Sequence, residues 1–117
     1  DYFASARLTR QQARDSAIQL LQQAADEEGA AEEAATEASE GIQALAAYTL
    51  AEAQIENLVT AKGYADCVAF MGAESISVVV STRDGAALTS ADVAKITDIT
   101  MTETGYPASA IKIMAAN

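Results

Sequence analysis

Few side chains in this 117-residue sequence are equipped for chemistry. Cys67 is the single cysteine, and there is no histidine. A thiol nucleophile needs a base and an oxyanion hole, and the commonest base is missing. Cys67 also opens an apolar run with Val68 and Phe70, so it reads as a small half-buried side chain and not as a reactive thiol. One cysteine makes no intrachain disulfide, and without histidine no Cys/His zinc site can form. Seven carboxylates crowd between Asp26 and Glu40 with no basic residue among them. They lack the spacing of a calcium loop and read as a solvated helical turn or linker. Carboxylates that hydrolyse must face each other across a cleft, and these share one segment. Lys62 and Lys112 have no neighbours that mark Schiff-base chemistry. The glycines at 63, 72, 85 and 105 stand singly, as turn or cap residues, and build no phosphate loop. No catalytic set, cofactor site or metal site is expected, so the chain is not read as an enzyme. The one ordered pattern of charge is Arg7, Arg10 and Arg14, which at i, i+3 and i+7 share a helical stripe.

Composition narrows the classes further. Half the residues are hydrophobic, yet 28 are alanine and only 5% are aromatic, so helix formers outweigh core mass. Seventeen acidic residues against seven basic give a net charge of −10, the wrong sign for nucleic acid. The element order α-β-β-α-β also occurs in KH folds, but their GXXG loop is absent. No run reaches the roughly 18–20 apolar residues of a membrane span. The length suits one modest core.

Helix is expected from Asp1 to about Glu28, where helix formers dominate and no Gly or Pro intervenes. Leu8, Ile18 and Leu21 are too few to form a core alone. Gly29 should interrupt the acidic stretch and Gly41 close it. A second helix should run from Ile42 to Lys62, burying Ile42, Leu45, Tyr48, Ile55, Leu58 and Val59, with Gly63 as its left-handed stop. Cys67–Met71 and Ser75–Ser81 read as strands joined by the hairpin loop Gly72-Ala73-Glu74. In the second strand Ile76, Val78 and Val80 should face the core. Ser75, Ser77, Val79 and Ser81 should face water, making a sheet with one covered face. After the turn Arg83-Asp84-Gly85, Thr89 and Asp92 make a capping box for a third helix, with Leu88 and Val93 as a hydrophobic staple. Val93, Ile96, Ile99 and Thr100 should point inward until Gly105 and Pro107 end the helix. A last strand, Ala110–Met114, should turn Ile111 and Ile113 inward and lie parallel to a neighbour after the helical crossover. The fold class is thus α+β. An N-terminal helical stem (1–40) precedes an α-β-β-α-β unit (41–117), a two-layer α/β sandwich with a three-stranded sheet. The expected core is Ile76, Val78, Val80, Val93, Ile96, Leu58, Ile111 and Ile113.

Several segments together resemble one family. They are Tyr2-Phe-Ala-Ser-Ala-Arg-Leu-Thr-Arg-Gln-Gln-Ala-Arg-Asp15, Ile55-Glu-Asn-Leu-Val-Thr-Ala-Lys-Gly-Tyr64, the strand Ile76–Val80, and Glu103-Thr-Gly-Tyr-Pro107 with Ile111-Lys-Ile113. They are similar to the soluble part of the stage III sporulation protein AH (SpoIIIAH-like) family, over nearly the whole chain from Tyr2 to Met114. The resemblance implies a ring-building-motif domain like those of the flagellar basal body and type III secretion rings. It implies a membrane span ahead of this sequence, and a domain lying between the two membranes around the forespore, anchored in the mother-cell membrane. The implied partner is the forespore protein called stage II sporulation protein Q, with which the family forms a channel-like connection. Tyr2 and Phe3, followed by Arg7, Arg10 and Arg14, then fit a juxtamembrane flank, although the positive-inside rule alone would put such a flank in the cytoplasm. The alternative for the stripe is an ordinary solvated helix face.

An assembly module needs surfaces. The small, weakly charged face of Ser75, Ser77, Val79 and Ser81 is one candidate for a ring or partner contact. The sheet edges invite strand or helix addition unless something covers them. The outer residues Gln43, Ala47 and Gln54 of the second helix are a third candidate. The alternative function is a small-ligand regulatory domain on the same layer plan, which would need a concave site with convergent polar groups.

Overall fold

The computed structural model describes residues 1–27, 29 and 31–116. Its elements are α1 (Tyr2–Asp26), α2 (Glu32–Ala61), β1 (Asp66–Met71), β2 (Ile76–Ser81), α3 (Ser90–Thr104), a 3-10 turn (Ala108–Ala110) and β3 (Ile111–Ala115). Asp1 caps α1 by accepting from the Ala4 N–H at 3.3 Å. Glu28, the expected end of that helix, lies outside the described residues.

The second helix starts ten residues earlier than its apolar pattern suggests. It runs unbroken through Gly41, so the helix start expected at Ile42 is absent. Gly41 stands where α1 and α2 cross. A Cβ at this position would sit 3.1 Å from Leu21 Cδ1, so the missing side chain is used for close approach and not for a stop. At about 1.5 Å per residue, α2 is roughly 45 Å long. It forms an antiparallel helical hairpin with α1 and gives the molecule its long dimension of 56 Å.

The sheet has the order β1-β2-β3. β1 and β2 pair antiparallel, with Cys67 opposite Val80 and Ala69 opposite Val78. β2 and β3 pair parallel, with Val78 opposite Ile113 and Val80 opposite Ala115. The parallel pairing follows from the intervening α3, as a helical crossover returns the chain in the same sense. Cys67, Ala69, Ile76, Val78 and Val80 form the inner face and pack with Ile55 and Val59 of α2 and Ile96 of α3, all fully buried or nearly so. Ile111 and Ile113 are half-buried at the margin of this core.

The expected alternation in β2 holds, but two expected core residues do not lie in the core. Leu58 is 38% exposed because the buried line of α2 is Glu52, Ile55 and Val59, and Leu58 falls one position off it. Val93 is also 38% exposed; it lies on the first turn of α3, while Ile96 and Thr100 fill the contact. The buried Thr100 hydroxyl is satisfied by donating to the Ile96 carbonyl at 2.8 Å.

Two tyrosines tie the layers together. The Tyr64 hydroxyl donates to Asp92 Oδ1 at 2.6 Å. Asp92 completes the capping box with Thr89, as expected. The Thr89 backbone N–H, then the Tyr64 and Thr89 hydroxyls, hold the Asp92 carboxyl below its usual range. The Tyr106 hydroxyl donates to the Gly72 carbonyl at 2.6 Å and so fastens the β1–β2 loop. Gly105 ends α3 with φ 76°, the left-handed cap that glycine permits.

Candidate functional site: the two edges of the sheet

In the antiparallel pair, Gly72 N–H bonds Ser75 O at 2.8 Å. By alternation, the even residues of β1 bond β2, and Cys67, Ala69 and Met71 turn their N–H and C=O groups outward. Five of those six groups meet a charged side chain. Asp66 Oδ1 accepts from Cys67 N–H at 2.8 Å. Arg7 Nη2 donates to the Cys67 carbonyl at 2.8 Å and also to Asp66. Glu56 Oε2 accepts from Ala69 N–H at 2.9 Å, and Arg10 donates to the Ala69 carbonyl. Glu52 Oε2 accepts from Met71 N–H at 2.7 Å. Acid and base alternate along the strand as N–H and C=O alternate. Side chains from α1 and α2 thus take the place of a neighbouring strand.

The same side chains bind each other. Arg10 Nη1 lies 2.7 Å from Glu56 Oε2 and 3.5 Å from Glu52 Oε1. Arg14 grips Glu52 with both terminal nitrogens, Nη2 to Oε2 at 2.7 Å, and reaches Thr49 Oγ1 at 3.1 Å. The Glu52 side chain is 0% exposed, whereas Arg7 at the open end is 38% exposed. A buried carboxylate of this kind is tolerable only because its oxygens are satisfied by Arg14, Arg10 and the strand. The hydrogen bond to Glu52 holds the Arg14 guanidinium above its usual range.

This geometry reassigns the arginine stripe. Arg7, Arg10 and Arg14 pair with Asp66, Glu56 and Glu52, so the stripe joins α1 to α2 and β1, with Arg7 still partly open to solvent. Phe3 is 3% exposed, packed with Val68 and Val79 on the outer sheet face, so it is a core residue and not an interfacial anchor. Tyr2 remains 48% exposed, with its ring edge-on to Phe3 at 5.2 Å. The outer face is accordingly not uniformly wet. Val79 is 3% exposed beneath Phe3, which corrects its expected exposure. Ser75 is exposed, and Ser77 and Ser81 are half-buried. Gln43, Ala47 and Gln54 lie exposed on α2.

Glu52 and Glu56 did not stand out in the sequence. A signal existed. They are spaced i, i+4 on α2, matching the i, i+3, i+7 arginines of α1, as two antiparallel helices with complementary stripes require. Cys67 is buried, and burial, with Glu56 and Asp66 nearby, pushes its thiol up to about 12.

Beyond the other end of the sheet, Ala116 N–H bonds the Val80 carbonyl at 3.0 Å. With Val80 opposite Ala115, parallel geometry turns Lys112, Met114 and Ala116 toward β2, and Ile111, Ile113 and Ala115 outward. Ile111 N–H turns back to the Ala108 carbonyl. Among the described residues no group bonds the outward N–H and C=O of Ile113 and Ala115.

A groove of about 470 Å³ runs beside the arginines, lined also by Gln11, Ile18 and Thr49. Its guanidinium groups are already paired, so it offers a ligand few convergent free donors. Among the described residues no group of three His, Cys, Asp or Glu could hold a metal ion, and no helix is long and apolar enough to cross a membrane.

The model of the family described as SpoIIIAH-like protein matches residues 1–113. The chain belongs to the SpoIIIAH-like family. A solved structure described as the SpoIIQ-SpoIIIAH pore forming complex contains a chain of the same fold. The TM-score is 0.81 at 20% identity, and the match covers 99% of each chain. No curated protein matches this SpoIIIAH-like sequence. The α+β architecture, with helices preceding a three-stranded mixed sheet, is therefore that of the family.

Proposed function

We propose that this SpoIIIAH-like domain is a non-enzymatic assembly component of the channel-like complex that links mother cell and forespore during endospore formation. It binds a forespore protein similar to SpoIIQ and associates with its own copies into a ring. It stands between the two membranes, anchored through a segment ahead of Asp1 in the mother-cell membrane. The observation that carries this reading is the match of fold over the whole length to a chain of the SpoIIQ-SpoIIIAH complex, joined to family membership over residues 1–113. The disposition of polar groups supports it, because the charged side chains that converge in the fold are bound to each other and to the backbone. A net charge of −10 opposes self-association of the free domain, so ring contacts depend on the high local concentration that membrane anchoring supplies.

The experiment is co-purification of the domain with the soluble domain of the SpoIIQ-like protein from the same organism. A stoichiometric complex through gel filtration is expected. Separate elution of the two proteins at tens of micromolar would overturn the reading.

A further inference from the structure

The two edges of the sheet are treated in opposite ways, and the difference names a binding surface. Strand addition needs a row of unbonded N–H and C=O groups and a hydrophobic margin for the incoming side chains. β1 offers neither, because five of its six outward groups are occupied by Asp66, Arg7, Glu56, Arg10 and Glu52, and Cys67 and Ala69 are fully buried. β3 offers both. Its outward groups at Ile113 and Ala115 are unbonded among the described residues. Ile111 and Ile113 are only half-buried, although their inner-face neighbours Ile76, Val78 and Val80 are at most 1% exposed. The apolar surface left on these two isoleucines lies where the next strand of the sheet would place its inward side chains.

We propose that the outer edge of β3 is a docking site for an extended segment of a different protein, which adds to this sheet as a fourth strand. The segment carries apolar residues on the side that continues the Ile111–Ile113 face. On the other side it carries a polar or acidic residue opposite Lys112, the one charge on β3. A second copy of this chain is the poorer occupant for two reasons. Its β1 edge is closed, so it can present only the same β3 edge. Two chains of net charge −10 also repel each other, and five-residue strands bury little area against that repulsion. The proposal rests on the reading that the domain docks on another protein, and it assigns the surface.

Hydrogen exchange tests it with the wild-type domain and the soluble SpoIIQ-like domain as probe. In the free domain the Ile113 and Ala115 amides exchange fast, and the Met114 and Ala116 amides, which face β2, exchange slowly. On complex formation Ile113 and Ala115 are expected to slow at least about tenfold, with little change at Met114 and Ala116. A second measurement uses Ala115→Pro. Proline is tolerated on an edge strand where the lost N–H faces outward, so the circular dichroism spectrum should be unchanged while affinity falls about tenfold. Complex formation with unaltered exchange at Ile113 and Ala115 overturns the β3 edge as the site, and so does full affinity in a folded Ala115→Pro variant. Failure of the wild-type domain to bind at all overturns the proposed function instead. Protection of Ile113 and Ala115 that appears without the probe and grows with protein concentration would identify a second copy as the occupant and overturn the choice of a foreign segment.

Discussion

The edges of this three-stranded sheet differ in how they meet solvent. The β1 edge is sealed by five charged side chains from α1, α2 and β1 itself, and the β3 edge carries one lysine and backbone groups that are unbonded among the described residues. A sheet edge is thus not closed by being covered with apolar mass; here it is closed by matching each donor with a carboxylate and each acceptor with a guanidinium. The cost is a carboxylate at 0% exposure, which leaves the α1–α2–β1 corner dependent on every partner being present. The β3 edge has no such dependence, so a substitution that removes only an outward backbone group there should be nearly silent for stability, whereas truncating Ile111 or Ile113 would still remove core packing.

The largest way to break that contrast is Glu52→Ala. It strands Arg14, frees the Met71 N–H and should cost about 3–5 kcal/mol in denaturant unfolding. A cost below about 1 kcal/mol would mean that water already does the work of Glu52. Phe3→Ala removes the one buried side chain of α1 and uncovers Val68 and Val79, for about 3 kcal/mol. Because it also loosens the arginines, exchange at the Ala69 and Met71 amides should rise more than at Val78, which reports the β2–β3 side.

Alkaline pH probes the buried side of β1. The Cys67 thiol ionises near 9 when unfolded and is pushed up to about 12 in the fold, chiefly by burial. Tyr64 rises from 10 to about 12, by burial and then by its bond to Asp92. Folding therefore holds both protons more tightly than the unfolded chain does. Stability is full below pH 9 and falls as pH rises from 9 toward 12. Cys67→Ala should flatten the first part of that fall, and a thiol reagent should label Cys67 slowly until the chain unfolds. Thr89→Ala, remote from both edges, should cost about 0.5–2 kcal/mol through its cap and leave exchange along both edges proportionate. The smallest effect belongs to Ala115→Pro, within about 0.5 kcal/mol of wild type in thermal melts.

The sequence made the Gly72-Ala73-Glu74 hairpin, the capping box at Thr89 and the stop at Gly105 legible, because each depends on contacts within a few residues. The inward set Ile76, Val78 and Val80 needed only period-two alternation. The seal was not legible in the same way. Arg10 and Glu56 are 46 residues apart and Arg14 and Glu52 38 apart, and a lone Glu on a helix reads as a solvent-facing residue. Gly41 was misleading for a related reason. A glycine ends helices in local grammar, but its use here is set by Leu21, a neighbour in space and not in sequence. Phe3 and Val79 belong together in the same sense. The alternation placed Val79 correctly on the outer face, and only the path of α1 decides that this part of the face is covered.

The sequence separation of the seal has a consequence for the order in which the chain is made. Arg7 and Asp66 are 59 residues apart, and Arg7 is translated first. At about 5–20 residues per second, α1 leaves the ribosome several seconds before β1 does. A hairpin of two bare strands is the most aggregation-exposed intermediate this topology offers. Here the guanidinium groups that close its outer edge are already synthesised when its carbonyls appear. Vectorial synthesis therefore delivers the guard before the strand it guards, and the β1 edge need spend little of its lifetime open to a chance partner.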